Sequence, residues 1–145
     1  MLSTIQSLPP RTPGRKVLVV LSDFGDNSSH QNLDKTILDL QFAGTTVFAL
    51  IELARGHESE RASKLGLRVA REIAEETGGE AYPIESPQEM DAALRRVQLV
   101  LKNSYAVRYH ATAQSAKDGK VSLKVEVHRA GVHILVTRQR PPATP

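Results

Sequence analysis

Two stretches of this chain are apolar without interruption. Val17 to Leu21 sits between Lys16 and Ser22, and Val47 to Ile51 follows Thr45-Thr46. Neither run alternates polar with apolar residues, and the first is rich in β-branched side chains. This predicts strands covered on both faces rather than one. Between them Asn32 is placed to cap a helix whose apolar positions Leu33, Ile37 and Leu40 recur at helical spacing, with Gly44 as its stop. Two buried strands joined through one helix form a βαβ unit, which requires parallel pairing and a right-handed crossover.

The helical period returns twice more. After a polar connection from Glu52 to Ser59, residues Ala62, Leu65, Val69 and Ile73 predict one apolar face of a long helix, stopped by Gly78-Gly79. A short strand over Glu80 to Ile84 leads into the clearest local signature in the chain. Ser86 at the N-cap, Pro87 at the first helical position and Glu89 form a capping box, and Met90, Ala93, Leu94, Val97 and Leu101 supply the stripe behind it.

From Asn103 the period becomes two. Tyr105, Val107 and Tyr109 alternate with polar neighbours, as do Val121, Leu123, Val125 and Val127, and Val132 to Thr137 makes a third run. Turn signals stand at Asp118-Gly119 and Ala130-Gly131. The expected fold class is α/β: a partial doubly wound, Rossmann-like parallel sheet of three βα units, followed by a three-stranded antiparallel β extension with one wet face. The expected boundaries are a disordered lead-in over 1–14, the α/β unit over 15–103, the extension over 104–138 and a disordered tail over 139–145.

Composition narrows the function classes. The 145 residues suffice for one domain with a real core, and 40% hydrophobic with 24% charged residues is ordinary for a globular protein. With no cysteine, disulfides and thiolate metal sites are excluded. The net charge of +3 comes from scattered cations, and aromatics make up only 4%, so no base-stacking surface for nucleic acid is expected. No run reaches the length of a membrane span, and the start has no apolar core of signal-peptide length.

Candidate chemistry gathers where the first strand stops. Asp23-Phe24-Gly25-Asp26-Asn27-Ser28-Ser29-His30 supplies oxygen ligands and turn formers at the carboxyl end of a strand, the place where open α/β sheets bind ligands. The plainer reading is a loop that caps the following helix and favours its dipole. Other constellations are weaker. Asp23-Phe24-Gly25 repeats a protein-kinase triplet and the opening of S-adenosylmethionine-hydrolysing adenosyltransferases, but nothing downstream accompanies either. His110, His128 and His133 fall in the extension, where solvent-facing histidines are the expected reading, and His30 and His57 lie in loops without ligand-like spacing. Glu75-Glu76 reads as solvated charge, and Gly78-Gly79 follows a helix rather than preceding one, so it terminates a helix rather than cradling phosphate.

In order along the chain, LVVLSDFGDNSS, TTVFALIE, IAEETGGEAYPIES, ALRRVQLVLKNSYAVRYHAT and DGKVSLKVEVHR resemble the second half of the bacterial von Willebrand factor A-related domain of acidobacterial type. The resemblance spans roughly residues 14 to 140. It implies a doubly wound sheet with a metal-ion-dependent adhesion site built from an Asp-x-Ser-x-Ser loop, a threonine and an aspartate after the fourth strand. Asp23 matches that aspartate. No Asp-x-Ser-x-Ser occurs in this sequence, and Phe24 stands where the family has glycine.

The resemblance therefore implies an incomplete metal site. Asp23, with Asp26 and Ser28, would hold magnesium or another divalent cation at most weakly, since such an ion wants a full oxygen shell, and no cofactor is firmly expected. The expected function is a non-enzymatic, adhesion-type protein-interaction domain, truncated or split. Asn27, Ser29, His30 and His57 are the expected partner-binding residues. The partner is a protein: a second copy of the chain, or a chain supplying the missing first half, paired along the open edge of strand 16–22. The alternatives are a small metal-assisted α/β hydrolase using Asp23 and Asp26, and a structural dimer. The family is often exported, whereas a start at Met1 gives a cytoplasmic chain, so compartment stays open.

Overall fold

The computed structural model describes residues 15–23, 32–53, 59–105, 116–117, 120–121, 125–132 and 134–136. Their centre is a three-stranded parallel sheet in the order β1-β2-β3, with β1 at Lys16–Ser22, β2 at Thr45–Glu52 and β3 at Ala81–Ile84. Helix α1 (Leu33–Phe42) joins β1 to β2, α2 (Ser59–Thr77) joins β2 to β3, and α3 (Pro87–Lys102) follows β3. This is the α/β, Rossmann-like arrangement expected.

The alternation of β2 divides the core into two layers. On one face Val47 packs with Ile37 and Leu40 of α1 and Ile73 of α2, while Ala49 and Ile51 meet Ala70 of α2. Leu18 and Val20 of β1 extend that layer. On the other face Leu50 packs with Ile84 of β3 and Ala93 of α3, with Tyr82 and Met90 alongside. Val47 to Ile51 are all buried, as a central strand requires.

The helix ends follow local chemistry. The Asn32 side chain accepts a hydrogen bond from the Asp34 N–H at 2.9 Å, and Gly44 takes a φ of 65° just past α1. At the end of α2 the Gly79 N–H donates to Ala74 O at 2.8 Å and Gly78 N–H to Glu75 O at 3.2 Å, a Schellman motif made possible by φ 77° at Gly78. At α3 the Glu89 N–H donates to Ser86 Oγ at 3.3 Å, but the Glu89 carboxylate accepts from Glu85 N–H at 2.6 Å rather than from Ser86. The capping box thus closes one residue earlier than its usual form.

Four expectations change. First, β1 is not covered on both faces: Val19 and Leu21 are 44% and 60% exposed. Helix α3 packs on β3 and β2, so its cover stops short of the outermost strand. Second, Leu65 lies 59% exposed, and the buried stripe of α2 runs instead through Ala70, Ile73, Ala74 and Thr77. Small residues there let the helix settle close to β2. Third, Leu94 and Leu101 of the α3 stripe are exposed, and the helix buries only Ala93 and Val97. Fourth, the three-stranded antiparallel extension is not seen among the described residues. A two-residue pair, β4 (Ala116–Lys117) with β5 (Lys120–Val121), is the antiparallel pairing present, and residues 125–128 and 134–136 form no strand. Val125, Val127, Val132, Ile134 and Val136 are exposed, so among the described residues no layer packs against their alternation. Residues 106–115, 118–119, 122–124, 133 and 137–145, which hold most of the expected extension and the expected tail, lie outside the described residues, as does the expected lead-in over 1–14.

Candidate functional site: the carboxyl rim and the outer strand

The parallel register brings three strand ends to one rim. Ser22 pairs beside Ile51 and Glu52 beside Ile84, so Asp23, Glu52 and Glu85 all stand at the carboxyl end of the sheet, each exposed. Leu53 N–H donates to Ile84 O at 3.2 Å and ties the second and third ends together. Asp23 was expected there. Glu52 was expected to open a loop and is instead the last residue of β2, and Glu85 was not singled out. Counting strand ends in TTVFALIE and AYPIE would have found both, since a parallel sheet aligns its carboxyl ends.

Alignment at one rim is not convergence. Among the described residues no three His, Cys, Asp or Glu side chains stand close enough to hold a metal ion. They therefore do not make up the oxygen shell a magnesium ion takes. Asp26, Asn27, Ser28, Ser29, His30 and His57 lie outside the described residues, as do His110 and His133. His128 is described and exposed. No helix among the described residues is long and apolar enough to cross a membrane.

The opposite rim is held by a hydroxyl. β3 begins too late to pair with the start of β2, since its register opens at Ala49 with Ala81. The Val47 N–H donates instead to Thr77 Oγ1 at 3.1 Å, and that hydroxyl donates to Ile73 O at 2.7 Å. The Ala49 N–H finds Glu80 O at 3.1 Å. Gly79 crosses β2 so closely that a Cβ there would lie 1.8 Å from Val47 O. Around Gly79 this end is built for close packing.

Two polar features remain. On β3 the Tyr82 hydroxyl donates to Glu80 Oε2 at 2.7 Å, and Arg96 Nε of α3 donates to the same oxygen at 3.4 Å. Burial, reinforced by the Glu80 carboxylate, pushes the Tyr82 phenol well above its ordinary range. A phenol held neutral this way is a donor to the Glu80 carboxylate, which also takes Arg96 of α3, and not an acid ready to release a proton. Along α2 an open depression of about 750 Å³ is lined by Lys64, Arg68 and Arg71 and by Glu72, Glu75 and Glu76. Arg68 with Glu72 and Arg71 with Glu75 stand four apart on the helix, so the two signs offset each other and no single-sign field results.

The outer strand is the remaining feature. Among the described residues β1 pairs with β2 alone, and its α3-side face presents Val19 and Leu21 to solvent. No family model, no curated protein and no solved structure matches the chain.

Proposed function

We propose that this chain is a non-enzymatic protein-interaction domain of the von Willebrand A-like kind, with its metal site incomplete and its contact made along β1. The observation that carries the reading is the exposure of Val19 and Leu21 in the outermost strand of an otherwise well-packed parallel sheet. Exposed apolar surface on an edge strand favours pairing with another chain. The carboxyl rim supports the same reading. Among the described residues Asp23, Glu52 and Glu85 line it without converging, and they offer polar surface beside β1.

Calorimetric titration of the full chain with magnesium chloride tests this. No saturable heat is expected, and Asp23→Ala should behave like the parent. Saturable binding that disappears in Asp23→Ala would replace this reading with a metal-assisted α/β hydrolase using Asp23 and Asp26.

A further inference from the structure

The two outermost strands of the sheet differ sharply. β3 has four residues and contains Pro83, both common ways of blunting an edge. β1 has seven residues, with five apolar ones in succession and neither proline nor charge among them. An edge left this long and plain is either an aggregation hazard or a pairing surface.

The sequence of β1 favours one partner. Set antiparallel to itself about Val19, the strand places Val17 opposite Leu21, Leu18 opposite Val20 and Val19 opposite itself. Beyond them Lys16 meets Ser22, and Arg15 meets Asp23. Every central pair is apolar, and opposite charges meet at both ends. Sliding the alignment by two residues sets Lys16 or Asp23 against valine. Sliding it by one sets the inner face of one copy against the outer face of the other, which reverses the layers of one sheet. We propose that β1 is a homodimerisation strand, pairing antiparallel with β1 of a second copy about a two-fold axis at Val19 to give a continuous six-stranded sheet. An isologous contact of this kind requires self-complementarity, and this register supplies it. The inference rests on the interaction reading above and names its partner.

Directly opposed residues in an antiparallel pair lie about 4.5–5.5 Å apart between Cα atoms, within reach of a disulfide. The chain has no cysteine, so introduced thiols report without interference. Sedimentation of the full chain should show a monomer–dimer equilibrium with a dissociation constant on the order of micromolar, as suits a small interface. Under mild oxidation Val19→Cys should cross-link to itself. Val17→Cys and Leu21→Cys should link to each other in a mixture and much less when each is alone. Val19→Lys, which sets two ammonium groups face to face on the axis, should be monomeric at the same concentrations with an unchanged circular dichroism spectrum.

A dimer in which Val19→Cys stays unlinked overturns the proposal. So does a monomer at every concentration, and maleimide labelling of Val19→Cys then separates two failures. Fast labelling means that β1 is open but does not pair with itself, so the interaction reading stands without this partner. Slow labelling means that the chain covers β1 with its own residues, and both readings fall.

Discussion

Replacing Thr77 by valine removes one hydroxyl and keeps nearly the same shape, which isolates what that hydroxyl does. Thr77 is 1% exposed, and its Oγ1 accepts from the Val47 N–H at 3.1 Å while donating to Ile73 O. Valine and threonine have similar helix propensities, so α2 itself is little affected. The loss falls on the Val47 N–H, which β3 starts too late to reach. A buried donor left without an acceptor costs about 1–3 kcal/mol, and the added methyl returns less than about 1 kcal/mol. The net expectation is a destabilisation of about 2 kcal/mol, or a urea midpoint lowered by roughly 1 M. Thr77→Ser keeps the hydroxyl and gives up one methyl group, about 1 kcal/mol. Amide exchange separates the two causes: the Val47 amide should lose protection in the valine variant and keep it in the serine variant. Full stability in Thr77→Val with Val47 still protected would show that the hydroxyl is not what holds this end of β2.

Other substitutions test neighbouring steps. Gly79→Ala should unfold the chain or cost more than about 4 kcal/mol, because its Cβ would sit 1.8 Å from Val47 O. Gly131→Ala, at φ 74° with nothing within 4 Å, should cost only the left-handed strain of about 1–2 kcal/mol; thermal melts of the pair compare steric overlap with backbone strain. Thr45→Val should match or exceed the parent by up to about 1 kcal/mol in urea titration, since the buried Thr45 hydroxyl has no hydrogen-bond partner. For Tyr82 the folded phenol is raised above its unfolded value near 10, so its contribution to stability is whole below that pH and lost as pH climbs above it. Absorbance at 295 nm should show one of the three tyrosines ionising late, and Tyr82→Phe should abolish that phase and flatten the alkaline fall in melting temperature.

The sheet and the helix stops were legible because each depends on neighbours close in sequence. Asn32, Gly44, Gly78 and Ser86 act on backbone groups two to five residues away, and all four perform as their residue types predict. Burial was less legible because it depends on which element arrives from elsewhere. Leu65 and Leu94 fit a helical stripe as well as Ile73 and Val97 do, yet the sheet is too narrow to meet them all. The period-two pattern after residue 103 is matched among the described residues only by the short pairing of β4 with β5. Alternation predicts a strand only where a layer covers its apolar side, and Val125, Val127 and Ile134 are exposed among the described residues. Of the candidate site, the position of Asp23 was readable from the end of one apolar run. Its companions Glu52 and Glu85 required the register of three strands at once.

The open face of β1 follows from the width of a helix. An α-helix with its side chains is about 10 Å across and parallel strands lie about 4.8 Å apart, so one helix covers about two strands. Two helices, α1 and α2, cover the inner face of the sheet, while α3 covers the outer face over β3 and β2. Burial changes between the register partners Phe48 and Val19, which are 0% and 44% exposed. The two should therefore respond oppositely to substitution. Phe48→Ala should cost about 3–5 kcal/mol in urea titration wherever measured, because it empties a closed core. Val19→Lys should leave the unfolding of the isolated monomer within about 0.5 kcal/mol of the parent, because its side chain already meets water. Any stability that Val19→Lys loses should grow with protein concentration, since association adds to stability by mass action. A concentration-independent loss comparable to that of Phe48→Ala would mean that β1 is an ordinary core strand, and the contact surface would have to be sought elsewhere.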